Sequence, residues 1–315
     1  MGNVSNMKVA MVFPGQGSQS VGMLAAYAGH PVVKQTIDEA SGIIGQDLWE
    51  LVEKGPEDAL ALTVNTQPVM LAADIAIYRA WLAAGGVTPS VMAGHSLGEY
   101  PALVCGGAIE FADALPLVRL RAQAMQEAMP AGTGGIAAIL GLDEPAIRAI
   151  CAEAAQGSVV EPANLNAPGQ IVIAGHRAAV ERAIDIAKAR GARRALLLSM
   201  SVPAHCSLMQ PAGDRLRAAI SAVPMSSARI PVIHNADVTA SGMPSAIRDA
   251  LVRQLFMPVR WIEIIEAMVR DGVTHFVECG PGKVLQGLVK RIAPDAVAQT
   301  LSSSAAIDAA VAAVR

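Results

Sequence analysis

From Lys8 onward, short apolar runs alternate with stretches whose apolar positions recur at helical spacing. Lys8–Phe13 and Val91–Ala93 read as strands, and Pro31–Ile44 and Thr66–Ala84 as helices, after a short polar lead-in over residues 1–7. Such alternation predicts a parallel sheet covered by helices on both faces. Pro130-Ala-Gly-Thr-Gly-Gly135 breaks the pattern and reads as a linker. Beyond it, Ile136–Leu140 is strand-like, and Asp143 caps a helix with Pro145 in its first turn. Ser158–Glu161 reads as a strand, Asn166–Gly169 as a turn and Ile171–Ala174 as the returning strand. A helix over Arg177–Arg190, closed by Gly191, and a strand over Arg194–Leu198 complete the order βαββαβ, the ferredoxin-like split arrangement. The larger pattern then resumes. Helices are expected over Asp214–Ala222, Ala246–Leu255 and Trp261–Arg270. Strands are expected over Ile230–His234 and Thr274–Cys279, the latter as the last, followed by the turn Gly280-Pro-Gly282 and a closing helix. The expected fold is therefore α/β. Residues 1–130 and 200–315 form a parallel-sheet core, and a small ferredoxin-like domain is inserted at 131–199.

Composition narrows the class. A chain of 315 residues can bury a sizeable core, and its 53% hydrophobic content with only 16% charged suits closely packed α/β layers. No apolar run is long enough for a membrane span, and no signal-peptide layout opens the chain, so neither a membrane nor an export role is expected. A net charge of −3 argues against a dedicated nucleic-acid binder. The four cysteines are scattered, without a Cys-x-x-Cys pair, which disfavours a disulfide framework or a zinc site. Reduced thiols in a cytoplasm are the expectation, with no metal.

The chemistry concentrates at Gly94-His95-Ser96-Leu97-Gly98. Gly-x-Ser-x-Gly between a strand and a helix is the nucleophile-elbow pattern, in which a sharp turn lifts the serine clear of the sheet. Ser96 then stands at a helix N-terminus, and the Leu97 N–H is placed to be half of an oxyanion hole. A serine hydroxyl needs a base. Of six histidines, His95 adjoins the nucleophile and should project elsewhere. His30 lies in a turn, His176 opens a surface helix and His275 is mid-strand, which reads as packing. His205 and His234 remain. His205 is favoured, because Ser201–Cys206 is an irregular crossover between the two domains, while His234 ends a strand and stays a rival. The acids between serine and histidine fall in the small domain or at helical positions such as Glu110 and Asp113. The pattern suggests a dyad whose histidine is oriented by something other than a carboxylate, against a generic esterase.

Arg121 shares a helical face with Leu117, Val118, Ala122 and Met125, whereas Arg119 points with Gln123 and Gln126 toward water. An arginine on an apolar face needs an anion, either a substrate group or an internal salt-bridge partner, unless it snorkels. Pro14-Gly15-Gln16-Gly17-Ser18-Gln19 follows the first strand. Lacking a lysine and a following Gly-x-x-Gly, it is a poor phosphate loop, but a glycine-flanked Gln16 can offer its backbone N–H to an oxyanion.

Together these residues resemble the malonyl-CoA:acyl-carrier-protein transacylase family of fatty-acid biosynthesis. Val12–Gln19, Gly94–Tyr100, Asn164–Gln170, Val202–His205, Arg253–Leu255 and Gly280–Lys283 match that family's blocks in order over nearly the whole chain. The resemblance implies a hydrolase-like α/β core carrying the ferredoxin-like insertion. It makes Ser96 the nucleophile, His205 the base, Gln16 and Leu97 the oxyanion hole, and Arg121 the clamp on the malonyl carboxylate. Gln254 corresponds to the residue whose carbonyl orients His205. Asn166 lies near the cleft without an assigned role. Pro101 departs from the family's small polar residue, and its missing N–H predicts a kink. The implied activity is an [acyl-carrier-protein] S-malonyltransferase of the cytoplasm, a monomer. It takes malonyl-CoA and acyl carrier protein, needs no cofactor and binds neither nucleic acid nor membrane. The carrier is expected to dock near Lys188, Arg190, Arg193 and Arg194. Alternatives are the transacylase of malonate decarboxylase, a free-standing polyketide acyltransferase, a serine thioesterase, or a non-catalytic carrier-docking module. Intact Ser96, His205 and Arg121 speak against the last.

Overall fold

The computed structural model describes residues 7–198 and 202–314. Residues 1–6, within the polar lead-in, and Ser201, the first residue of the expected crossover, lie outside them. The larger sheet contains β1 (Lys8–Phe13), β2 (Val91–Gly94), β7 (Val232–Ile233), β8 (Val273–Glu278) and β9 (Val297–Thr300), in the order β7-β2-β1-β8-β9. Every pairing in it is parallel. Five of the six residues of β1 are buried, as expected for a central strand covered on both faces. On one face a large core joins Phe13, Met92 and Val277 to the helices Pro31–Ile44, Thr63–Ala83 and Phe111–Glu127. On the other, Ala10, Val12 and Phe276 pack against the helices Trp261–Arg270 and Val284–Ile292.

The second sheet is antiparallel, with β3 (Gly134–Leu140), β4 (Val160–Ala167), β5 (Gln170–His176) and β6 (Arg194–Leu197) in the order β4-β5-β3-β6. The helices Glu144–Ala155 and Arg177–Ala189 close a separate core over it, through Ile139, Ile150, Ile173 and Val180. Asp143 caps the first of these helices, accepting the Ala146 N–H at 3.0 Å. The small sheet is tied to the segment before the helix Trp261–Arg270, where the Leu165 N–H donates to the Val259 carbonyl at 2.9 Å.

Several elements depart from the sequence reading. The strand expected at Ser158–Glu161 runs over Val160–Ala167 instead, so Asn166 belongs to β4 and the turn shrinks to Pro168-Gly169. The expected Ile230–His234 strand reduces to Val232–Ile233. It is an edge strand; Pro231 has no N–H to give, and the His234 N–H turns back to the Thr239 carbonyl. Thr274–Cys279 is not last. Strand β9 adds to its outer edge and a helix follows over Ser304–Ala313. Val-Ala-Gln-Thr carries almost no apolar signal, whereas Ser303 is a legible cap that accepts the Ala306 N–H. The hydrogen bond that Pro101 cannot donate is not one the helix needs there. The helix Glu99–Cys105 starts two residues earlier, so proline occupies its first turn, where no intrahelical N–H is required.

Candidate active site

The C-terminal ends of β1 and β2 carry the first half of the site. After Gly94 the chain turns through Ser96, held at φ 54°, into a 3-10 turn and then the helix Glu99–Cys105. A side chain on either flanking glycine would collide with backbone: a Cβ at Gly94 would lie 1.8 Å from the Gly98 carbonyl, and one at Gly98 would lie 2.1 Å from the Phe13 carbonyl oxygen. The elbow is therefore sterically dictated, and a left-handed serine costs on the order of 1–3 kcal/mol that the surroundings must offset. Asn235, just past β7, helps to hold it, taking the Ser96 N–H on Oδ1 and donating Nδ2 to the Gly94 carbonyl, each at 2.7 Å.

His205 arrives from the segment leaving the small sheet, itself at φ 64°. Its Nε2 lies 2.6 Å from the Ser96 hydroxyl oxygen. Its Nδ1–H donates to the Gln254 carbonyl at 2.7 Å, which leaves Nε2 as the acceptor. Burial first, and then the charge of Arg121, push the His205 pKa down to about 3, so the imidazole is neutral across ordinary pH. No carboxylate touches His205 among the described residues, in line with a base oriented by a carbonyl. His234, the rival, is turned away: its Nδ1 donates to Glu99 at 2.8 Å and its Nε2 to the Ser241 carbonyl at 3.1 Å. His95 does project away from Ser96, yet it lines the same cleft, at 2.8 Å from Asn166 and edge-on to Trp261. His176 accepts the Val159 N–H, and His275 is half-buried beside Thr274.

Arg121 is 1% exposed, and among the described residues it forms no ion pair. Its guanidinium donates to Gln67 at 2.8 Å and to the Gln254 side chain at 2.9 Å, reaches the Ser96 hydroxyl at 3.4 Å, and lies over the Tyr100 ring. Its Nε is buried without a partner. Both structural readings of this residue, salt bridge and snorkel, are thus unmet. Its ties are all to neutral groups, so the charge of this buried cation is left unbalanced beside the Ser96 hydroxyl. Burial lowers its pKa.

Gln16 follows β1, its side chain tied to Thr63 at 3.2 Å. Among the described residues neither its backbone N–H nor that of Leu97 donates to another protein group. Both residues line a cleft of about 250 Å³ together with Ser96, Arg121 and His205. Asn166 and Val172 of the small sheet close one side of it, and Leu285 and Leu288 another. No cluster of His, Cys, Asp or Glu fit to hold a metal occurs among the described residues. The sequence reading passes over Glu99, Gln67 and Asn235. Glu99 sits inside the quoted Gly94–Tyr100 block, but a lone glutamate on a helix gives no sign that it is 0% exposed.

Comparison with known proteins shows the family. The profile of the acyl transferase domain family matches residues 10–311. The malonyl CoA-acyl carrier protein transacylase of Escherichia coli strain K12 is 53% identical over 303 residues, covering 96% of this chain and 98% of that protein. The crystal structure of an acyl-carrier-protein S-malonyltransferase from Burkholderia pseudomallei superposes with a TM-score of 0.96 at 57% identity, covering 97% of this chain and 100% of the other. A malonyl-transacylase solved in complex with a type II PKS acyl-carrier protein is similar at a TM-score of 0.96 and 52% identity, with 97% and 99% covered.

Proposed function

This chain belongs to the malonyl CoA-acyl carrier protein transacylase family of acyl transferases, and on that premise we propose that it moves a malonyl group from malonyl-CoA to the phosphopantetheine thiol of acyl carrier protein. The contact that carries the mechanism is the 2.6 Å approach of Ser96 Oγ to a neutral His205. His205 Nε2 takes the hydroxyl proton as Ser96 Oγ attacks the thioester carbonyl. The resulting oxyanion rests on the N–H groups of Gln16 and Leu97, where losing one donor typically costs about 10²–10³ in rate. Collapse breaks the carbon–sulfur bond, and coenzyme A leaves with the proton that His205 returns. The carrier thiol then gives its proton to His205 and attacks the malonyl-Ser96 ester, and Ser96 recovers the proton as the ester breaks. Arg121 holds the free carboxylate throughout, and the Gln254 carbonyl keeps His205 in its working tautomer.

The reaction calls for no metal or prosthetic group. We place the enzyme in the cytoplasm as a monomer; no described helix is long and apolar enough to cross a membrane. The test is mass spectrometry after mixing with malonyl-CoA. A malonyl adduct should appear on the peptide holding Ser96, vanish in Ser96→Ala, and form more slowly at the same serine in His205→Ala. Malonyl on Cys206, beside the base, would overturn the assignment.

A further inference from the structure

The site contains a carboxylate that touches neither substrate space nor the base. Glu99, in the first turn of the helix that follows the elbow, is 0% exposed and accepts three hydrogen bonds. Its Oε1 takes His234 Nδ1 at 2.8 Å; its Oε2 takes the Asn235 N–H at 3.1 Å and Gln254 Nε2 at 2.7 Å. We propose that Glu99 is a positioning residue for the acyl transfer: through Gln254 and Asn235, its carboxylate fixes the base, the anion-binding arginine and the backbone of the nucleophile at once.

Donor and acceptor identity dictates the arrangement. An amide side chain can face either way, but an ionised carboxylate only accepts, so it admits only the NH2 end of Gln254. With Nε2 given to Glu99 and to the Ser96 carbonyl at 2.9 Å, the oxygen of Gln254 must face Arg121, which it meets at 2.9 Å. The reversed amide would set N–H groups against the guanidinium. The backbone carbonyl of this same Gln254 holds His205. Asn235 is pinned through its own N–H, and its side chain spans Gly94 and Ser96. His234 supplies the balancing charge. Its two nitrogens face a carboxylate and a carbonyl, both acceptors, so the ring donates twice and is the imidazolium. A buried, paired carboxylate at the junction of these contacts gives them one common orientation.

This inference rests on the roles given above to Ser96, His205 and Arg121, and the experiment separates the two. Glu99→Gln keeps the volume and removes the acceptor-only character. Three quantities are compared with the unaltered chain: the rate of Ser96 labelling by a fluorophosphonate, the ratio of kcat/KM for malonyl-CoA over acetyl-CoA, and Tm. Glu99→Gln should slow labelling at least tenfold and lower the ratio at least tenfold. Two further variants read the arms apart should Glu99→Gln fold poorly. Asn235→Ala should slow labelling with the wild-type ratio retained. Gln254→Ala should lower the ratio by more than it slows labelling. If Glu99→Gln matches the unaltered enzyme, or depresses both substrates equally with a loss of Tm, Glu99 positions nothing. Failure of the two arm variants to split would overturn the proposal equally. If the unaltered chain takes no malonyl on Ser96, the underlying reading fails instead.

Discussion

Arg121→Ala should convert a malonyl-selective enzyme into one that no longer prefers malonyl. The guanidinium has five N–H donors. Two are committed to the side-chain oxygens of Gln67 and Gln254, and one more reaches Ser96 Oγ only at 3.4 Å, long enough to be given up. Donors therefore remain for a carboxylate arriving beside the nucleophile. Hydrogen bonds to charged groups are worth about 1.5–3 kcal/mol each, so one gives roughly ten- to hundred-fold and a bidentate pair about 10²–10⁴-fold. The site is buried and apolar on its Met125 side, so a carboxylate left unpaired there gains little from water. Acetyl-CoA has no such group and loses nothing. The assay is kcat/KM for malonyl-CoA and acetyl-CoA in the unaltered enzyme, Arg121→Ala and Arg121→Lys. Malonyl transfer should fall by at least 10² in Arg121→Ala, with acetyl transfer equal or improved. Lysine should recover little, because a point charge cannot span Gln67, Gln254 and a carboxylate together. An equal loss on both substrates would make Arg121 a structural residue and remove the argument for malonyl selectivity.

With the His205 pKa at about 3, Ser96 acylation by acetyl-CoA should stay flat down to pH 5; because the Arg121 charge opposes the imidazolium, Arg121→Ala should move that acid limb upward, and a limb near 6.5 in the unaltered enzyme would refute this. His234 obeys the opposite linkage: burial lowers its pKa, but the Glu99 hydrogen bond and charge raise it overall, so its contribution to stability is full below about 6.5 and fades as pH rises through the folded value. His234→Asn should accordingly flatten the decline of Tm above neutral pH; an unchanged slope would break the link. For the carrier, Arg190 is already neutralised by Glu153 while Arg193 and Arg194 are exposed, so charge reversal at Arg193 and Arg194 should raise the carrier KM in a salt-dependent manner, and an unchanged KM at low salt would move docking elsewhere.

What the sequence makes legible follows a physical rule. Strands with continuous apolar runs, such as Lys8–Phe13, announce themselves because they are buried on both faces. Val297–Thr300 does not, because an edge strand half covered by solvent needs no apolar run. Ser96 is readable because a Cβ on either flanking glycine would lie about 2 Å from neighbouring backbone, and that exclusion leaves a local mark in the residue types. Arg121 is readable as a cation on an apolar face, though only its neighbours show that no acid among the described residues pairs with it. His205 can be preferred over His234 by position alone, but what separates them is tertiary: one meets Ser96 across 109 residues, the other is claimed by Glu99 across 135.

The same rule explains why a triad acid cannot be found by looking for a partner of the histidine. A search for a carboxylate to orient the base passes over Glu99, because Glu99 does not touch His205 at all. Between them stands Gln254, whose carbonyl accepts the His205 Nδ1–H and whose side chain bridges the Glu99 carboxylate and the Arg121 guanidinium. Moving the negative charge one residue away from the base has an electrostatic consequence. A carboxylate in contact with His205 would favour the imidazolium through its full charge; the neutral carbonyl fixes the tautomer and favours the charged ring too weakly to outweigh burial and the Arg121 charge, so the ring stays neutral. Arg121 and a directly paired carboxylate would compete for each other, and the cation would be spent internally. Placing Glu99 behind a neutral amide keeps Arg121 free of an ion pair and available to a substrate that brings its own negative charge.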